Sequence, residues 1–295
     1  MSTSLPDSAQ IDVSASLARD LLKSARRLPH YDNQEFYSTA VQGFVRDNIR
    51  RDSVGFDELI DQIKAGVARW PYCVLVRGLT FDEGNKVFVA INRAFGELVA
   101  RPFEKPRAQL VHYVEPSTDL PSMRGGHESE RLHTDTADWE TPVELISMIC
   151  VRADPAGGGR SRALDVDTIR DEVGARLGTE LLRLLETEAV PWQIAPYFGG
   201  GVKWRPVLNA SAVCWRRYTI DLALNNDGAE LSDEMLKALE AFEDVVSTTA
   251  RTIDFLMQEG QLLFSDNHRT IHARTPISDV ENSNRLMIRS WIRTS

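Results

Sequence analysis

RLHTDTADWETP, residues 131–142, sets His133 and Asp135 two positions apart. In extended backbone, residues i and i+2 point to the same side, so an imidazole and a carboxylate converge there. Alone, the triplet is common, and a surface His beside an Asp is its ordinary reading. A second stretch, EGQLLFSDNHRTIHARTPI (259–277), supplies what the first lacks: an apolar strand runs into Asp266-Asn267, and His272 follows. An octahedral metal site with one open face needs two neutral imidazoles and one carboxylate on the other face. His133, Asp135 and His272 are the candidates.

Outward from these stretches, VELISMICVR (143–152), GQLLFSD (260–266), QLVHYVEP (109–116) and RLMIRSWIR (285–293) are strand-like. YCVLVRGL (72–79) is a short apolar, β-branched run ended by Gly78, as a buried strand would be. Helical periodicity marks LARDLLKSARRL (17–28), FDELIDQIKAGVARW (56–70), FDEGNKVFVAINRAFGEL (81–98) and the long acidic LSDEMLKALEAFEDVVSTTARTIDFLM (231–257), which opens on a partial cap signal at Ser232. Strands interrupted by helices without a βαβ rhythm favour a mostly β fold with flanking helices, a jelly-roll or cupin-like double-stranded β-helix barrel. Residues 1–13 show no sustained apolar period and are expected to be a flexible tail, with residues 14–295 forming a single domain. The triple glycines at 157–159 and 199–201 mark loops outside any strand–GxGxxG–helix context, which argues against nucleotide binding.

Hydrophobic content of 42% with 8% aromatics is that of a chain able to bury a core. A net charge of −9 opposes non-specific nucleic-acid binding, which requires a basic surface. No apolar run reaches membrane-spanning length, and MSTSLPDSAQ lacks the basic start and apolar core of a signal peptide, so a cytoplasmic protein is expected. Cys73, Cys150 and Cys214 are odd in number and widely spaced, as for buried reduced thiols.

Taken in order, HTDTADWETP (133–142), the GGGRS loop (157–161), GQLLFSDN (260–267), TIHART (270–275) and NRLMIR (284–289) resemble the taurine dioxygenase and clavaminate synthase-like superfamily of Fe(II)/2-oxoglutarate oxygenases. VLVRGL (74–79) resembles it too, so the likeness runs from about residue 70 to the end. The resemblance implies that His133, Asp135 and His272 hold iron. It places the distal ligand at His272, in the H-A-R position, and leaves His268 structural; His112 and His30 carry no partner motif. Arg285 matches the arginine that grips the distal carboxylate of 2-oxoglutarate, a role suited to a bidentate guanidinium in a low-dielectric interior. Ser161 stands where the family usually has a Thr whose hydroxyl joins that contact.

The set Arg285, Met287, Arg289 and Trp291 shares one strand face, and four residues along a strand span ~13 Å. Arg289 is therefore expected to meet the anionic end of a substrate, with pairing to an acid such as Asp165 or Asp266 as the alternative. The implied activity is hydroxylation of a small anionic substrate, an amino acid or close derivative, by O2, with release of succinate and CO2. Desaturation or cyclisation remains open, and the presence of Asp135 opposes halogenation, which needs that coordination position for chloride. Trp192, Tyr197, Trp204, Trp215 and the Arg216-Arg217-Tyr218 cluster are candidates for the pocket wall, or for ordinary core. The rival readings are a jelly-roll protein binding a metal or small ligand without turnover, and a zinc hydrolase with similar ligands.

Overall fold

The computed structural model describes residues 3–32, 35–100, 110–116, 127–226, 228–277, 279–280 and 283–294. Its strands are β1 (Gln10–Asp12), β2 (Cys73–Arg77), β3 (Gly96–Val99), β4 (His112–Val114), β5 (Leu145–Arg152), β6 (Ser161–Asp165), β7 (Val190–Gln193), β8 (Val202–Arg205), β9 (Ile253–Phe255), β10 (Leu262–Asp266), β11 (Thr270–Arg274) and β12 (Leu286–Thr294). The helices are α1 (Ala15–Arg27), α2 (Thr39–Asp52), α3 (Phe56–Val67), α4 (Lys86–Arg93), α5 (Val166–Leu177), α6 (Thr179–Thr187), α7 (Arg217–Asn226) and α8 (Asp233–Thr248).

A major sheet runs β1-β2-β10-β5-β12-β3, with β4 also on β12, and a minor sheet runs β11-β6-β9. All these pairings are antiparallel except β1 with β2. Period-two alternation divides the major sheet cleanly. Val74, Val76, Ile149, Leu262, Phe264, Ile288 and Ile292 pack against α1 to α4, whereas Cys73, Leu75, Cys150 and Met287 turn to the other side. There they meet Ala163 of β6 and Ile253 and Phe255 of β9. The two sheets therefore face one another, and the space between them is the interior in which the metal-ligand candidates stand. On its outer face the minor sheet presents Leu164, Ile271 and Ala273 to α5 and α8.

Sheets facing across a shared interior fit the expected jelly-roll layout, but two expectations change. Helix exceeds strand, 39% against 23%, so the fold is mixed rather than mostly β, and among the described residues the sheets do not close into a barrel. The expected tail is also ordered from Thr3. That residue bridges Ile253, Leu5 and Ala9 are buried, and β1 adds a parallel edge strand to β2.

The stretch 81–98 divides into α4 and β3, because the backbone of β12 passes so close to Gly96 that a Cβ there would land on the Arg293 carbonyl. Ser232 does cap α8, accepting from the Met235 amide at 3.1 Å, but the helix ends at Thr248 and the chain goes on as β9. No helix of the described residues is long and apolar enough to cross a membrane. All three cysteines are free thiols, Cys73 and Cys150 buried and Cys214 half-buried.

Candidate metal centre and cosubstrate site

The two histidines are placed by one backbone feature. His133 and His272 form an antiparallel bridge, each amide donating to the other's carbonyl at 2.9 Å. Directly opposed residues send side chains to the same face, and the ring centroids stand 4.6 Å apart. Asp135, two residues along, puts Oδ1 3.5 Å from His133 Nε2 and 3.8 Å from His272 Nε2. The three donor atoms lie within 4.8 Å of one another, the one such cluster among the described residues. The His133 Nδ1 is 2.8 Å from the Arg131 carbonyl, which only accepts, so the proton sits on Nδ1 and the Nε2 lone pair is left for a metal.

Neighbouring contacts fix this segment. Between the ligands, Thr134 donates its amide to the Trp215 carbonyl (2.7 Å) and accepts the Trp215 amide on its hydroxyl (3.0 Å). Asn267 is fully buried; its Oδ1 accepts from the Asp135 amide and its Nδ2 donates to the carbonyls of Asp135 and Val143. Immediately after Asp135, Thr136 adopts φ 56°, a left-handed conformation that side-chain-bearing residues rarely hold without support. Its hydroxyl accepts the Val143 amide, and Arg205 binds the carbonyls of Ala137, Trp139 and Glu140 in the turn beyond.

Electrostatics prepare the ligands for a cation. Burial pushes the Asp135 carboxyl up, but the Arg289 guanidinium and the two histidines overcome it and hold the group well below the usual carboxylate range. For His272, burial and then His133 bring the imidazole down to about 3, against the opposing pull of Asp135. At neutral pH His272 is uncharged and Asp135 ionised, the protonation states a divalent metal requires. The donor set therefore fits Fe(II).

Arg285 immediately precedes β12, with only 6% of its surface exposed. Its sole side-chain hydrogen bond runs from Nη2 to the Gly159 carbonyl at 3.4 Å, and no carboxylate pairs with it among the described residues. Burial, with Arg274 nearby, lowers its pKa, and the Asp154 carboxylate offsets this only in part. Such a group is costly unless a ligand supplies the charge, and a dicarboxylate does so. Gly159, at φ +65°, allows the loop to approach: a Cβ there would stand 2.6 Å from Arg285 Nε. Ser161 opposes Arg274 on β11 and shares the inward face of β6 with Ala163, which opposes His272. Its hydroxyl has no partner among the described residues.

Other expectations sort differently. His268 lies outside the donor cluster, its Nε2 3.2 Å from the Pro142 carbonyl. His112 is buried edge-on to Trp291 at 4.7 Å. Trp192 and Trp215 are core, Trp204 is exposed, and the Tyr197 side chain lies outside the described residues. Arg289 was expected to be available to substrate. Its Nη1 instead lies 2.8 Å from Asp135 Oδ2, so the pairing alternative is realised with an acid not anticipated. Asn267, which threads the metal loop to β10, carried no role in the sequence reading; its signal was a polar residue closing an apolar strand.

Comparison with known proteins gives the family and the fold. Residues 52–291 match the family described as taurine catabolism dioxygenase TauD, TfdA family. The chain belongs to that family and is an Fe(II)/2-oxoglutarate-dependent dioxygenase. No curated protein matches it. Among solved structures, asparagine oxygenase with Fe(II), 2S,3S-3-hydroxyasparagine and succinate superposes with TM-score 0.77 at 16% identity, covering 97% of this chain and 94% of that one. The non-heme iron oxygenase OrfP with Fe and alpha-ketoglutaric acid gives 0.73 at 15%, covering 97% and 93%. A putative alpha-ketoglutarate-dependent taurine dioxygenase from Burkholderia xenovorans gives 0.58 at 18%, covering 81% and 84%. At these identities the likeness shows the shared fold.

Proposed function

We propose that this dioxygenase hydroxylates a small anionic substrate, an amino acid or amino-acid derivative, with release of succinate and CO2. The observation that carries the reading is a His133–Asp135–His272 set, with His133 and Asp135 buried and His272 half-buried, in the same interior as Arg285, a buried cation with no carboxylate in ion-pair contact among the described residues. His133, Asp135 and His272 would hold the iron, while Arg285 and the Ser161 hydroxyl would bind the distal carboxylate of 2-oxoglutarate. The bound iron and 2-oxoglutarate supply the oxidising chemistry; the protein orients its components and excludes water from them.

Solved relatives of the same fold hold 3-hydroxyasparagine and hydroxyarginine, which supports an amino-acid substrate. Two cations border the metal site. Arg216 follows Trp215, the residue zipped to Thr134 between the ligands, and its half-buried side chain has no partner among the described residues. Arg289 retains a buried Nε with no hydrogen-bond partner beside its bond to Asp135. Arg216 is the better placed for a substrate carboxylate, because it acts electrostatically on His272 and has no ion-pair partner among the described residues.

The test screens free and modified amino acids for stimulated succinate release with Fe(II) and 2-oxoglutarate, and weighs the product by mass spectrometry. Hydroxylation adds one oxygen; desaturation or ring closure removes two hydrogens. Arg216→Gln should raise the KM of the substrate found about tenfold or more while leaving substrate-free succinate formation intact. The reading fails if no anionic amino acid or derivative stimulates turnover while a cationic or neutral non-amino-acid compound does.

A further inference from the structure

The carboxylate of Asp135 is divided between two tasks. Oδ2 accepts from Arg289 Nη1 at 2.8 Å and from Trp291 Nε1 at 2.8 Å, which fills both its lone pairs. Oδ1 faces the two imidazole Nε2 atoms. Neither donor is loosely held. The Trp291 ring is 5% exposed, with its edge contacts to Trp139 at 5.3 Å and His112 at 4.7 Å, and the Arg289 guanidinium lies over the same indole at 4.9 Å. Asn267 pins the Asp135 backbone on both sides.

We propose that Arg289 and Trp291 are positioning residues that commit Asp135 to single-oxygen ligation through Oδ1. The inference rests on the triad taking iron and goes beyond it. A carboxylate free to rotate can chelate with both oxygens and take one more place in the metal's shell. With two imidazoles also bound, a six-coordinate ion would then lack room for a two-point cosubstrate together with oxygen. Two strong hydrogen bonds on Oδ2 remove that option. Arg289, four residues beyond the cosubstrate arginine, thus works on the metal ligand itself.

The charge of Arg289 lets its role be read by sign. A guanidinium that is only a neighbour repels a metal ion, so its removal should tighten metal binding. A guanidinium that orients the ligand should, when removed, weaken it. Trp291→Phe carries no charge change and keeps a ring in the aromatic cluster, so it isolates the hydrogen bond.

The experiment titrates the full chain with Co(II), a visible chromophore, and follows affinity and absorption spectrum, with thermal melts of the metal-free proteins to establish folding. Wild-type binding tests the triad itself. The proposal expects Trp291→Phe and Arg289→Met each to weaken Co(II) binding about 10–100-fold, as loss of a hydrogen bond to a metal ligand typically does, and to change the spectrum by altering the coordination number. Arg289→Lys should recover part of the affinity. Folded Trp291→Phe and Arg289→Met proteins with wild-type or tighter Co(II) binding and an unchanged spectrum would overturn it. Should one variant fail to fold, the other decides on the same two readouts.

Discussion

At the scale of single residues, Asn267 joins the metal loop to the strand end by three side-chain hydrogen bonds, all buried. Truncation to Ala would strand the Asp135 amide and two carbonyls, at a cost of about 2–4 kcal/mol. Urea unfolding of the metal-free Asn267→Ala protein should show that loss, together with weakened metal binding. His272 gives a pH signature. Its imidazole is near 3 when folded against an ordinary 6.5, so between those values the unfolded chain binds a proton that the folded chain refuses. Stability of the metal-free protein should therefore fall as pH drops below 6.5, with a slope approaching about 1.4 kcal/mol per pH unit. His272→Gln should flatten urea midpoints measured between pH 6.5 and 5; an equally steep profile would assign the effect elsewhere. His133 and Asp135 were legible as a pair because a two-residue spacing puts both side chains on one face, whereas His272 was reached only through the order of the family-like motifs. The partner of Arg289 was not, since periodicity tells which way a side chain points but not which of many acids, here one 154 residues away in sequence, awaits it.

At the scale of elements, β12 gathers the proposed cofactor contacts, with Arg285 immediately before it and Arg289 and Trp291 within it. Opposite it, the glycine loop leading into β6 comes close enough to touch the Arg285 guanidinium. Gly159→Ala would add a strained φ and press on Arg285 Nε, moving the guanidinium without removing its charge. The requirement for 2-oxoglutarate should rise about tenfold or more while Co(II) binding stays near wild type. Arg285→Gln should raise it further, in line with about 2–5 kcal/mol for truncating a shielded charge pair. Equal sensitivity of metal binding would show that loop and metal site are not separable. Strand identities in this region were readable from alternation. The division of 81–98 into α4 and β3 was not, because the deciding contact, the β12 backbone against Gly96, lies outside any local window.

At the scale of the whole molecule, the metal loop is bonded to both sheets: His133 pairs with β11, and Asp135 is held from β12. A bound ion should thus stabilise the molecule globally. At a hundredfold excess over its Kd, Mn(II) is worth about 2.7 kcal/mol, and a rise in melting temperature that His133→Ala abolishes would report it. The facing-sheet plan followed from the order of strands and motifs. Its helical share did not: α2 packs on α1 and α4, and α5 and α6 pack on each other and on α8, contacts that no short apolar period announces. The bridge between His133 and His272 carries a last consequence. In an antiparallel pair, a slip of one residue turns every side chain to the opposite face, so a mispaired loop would send one imidazole away from the other. Metal uptake would therefore select for register: the correctly paired chain alone would offer the ion all three donors, and binding would draw the population toward it.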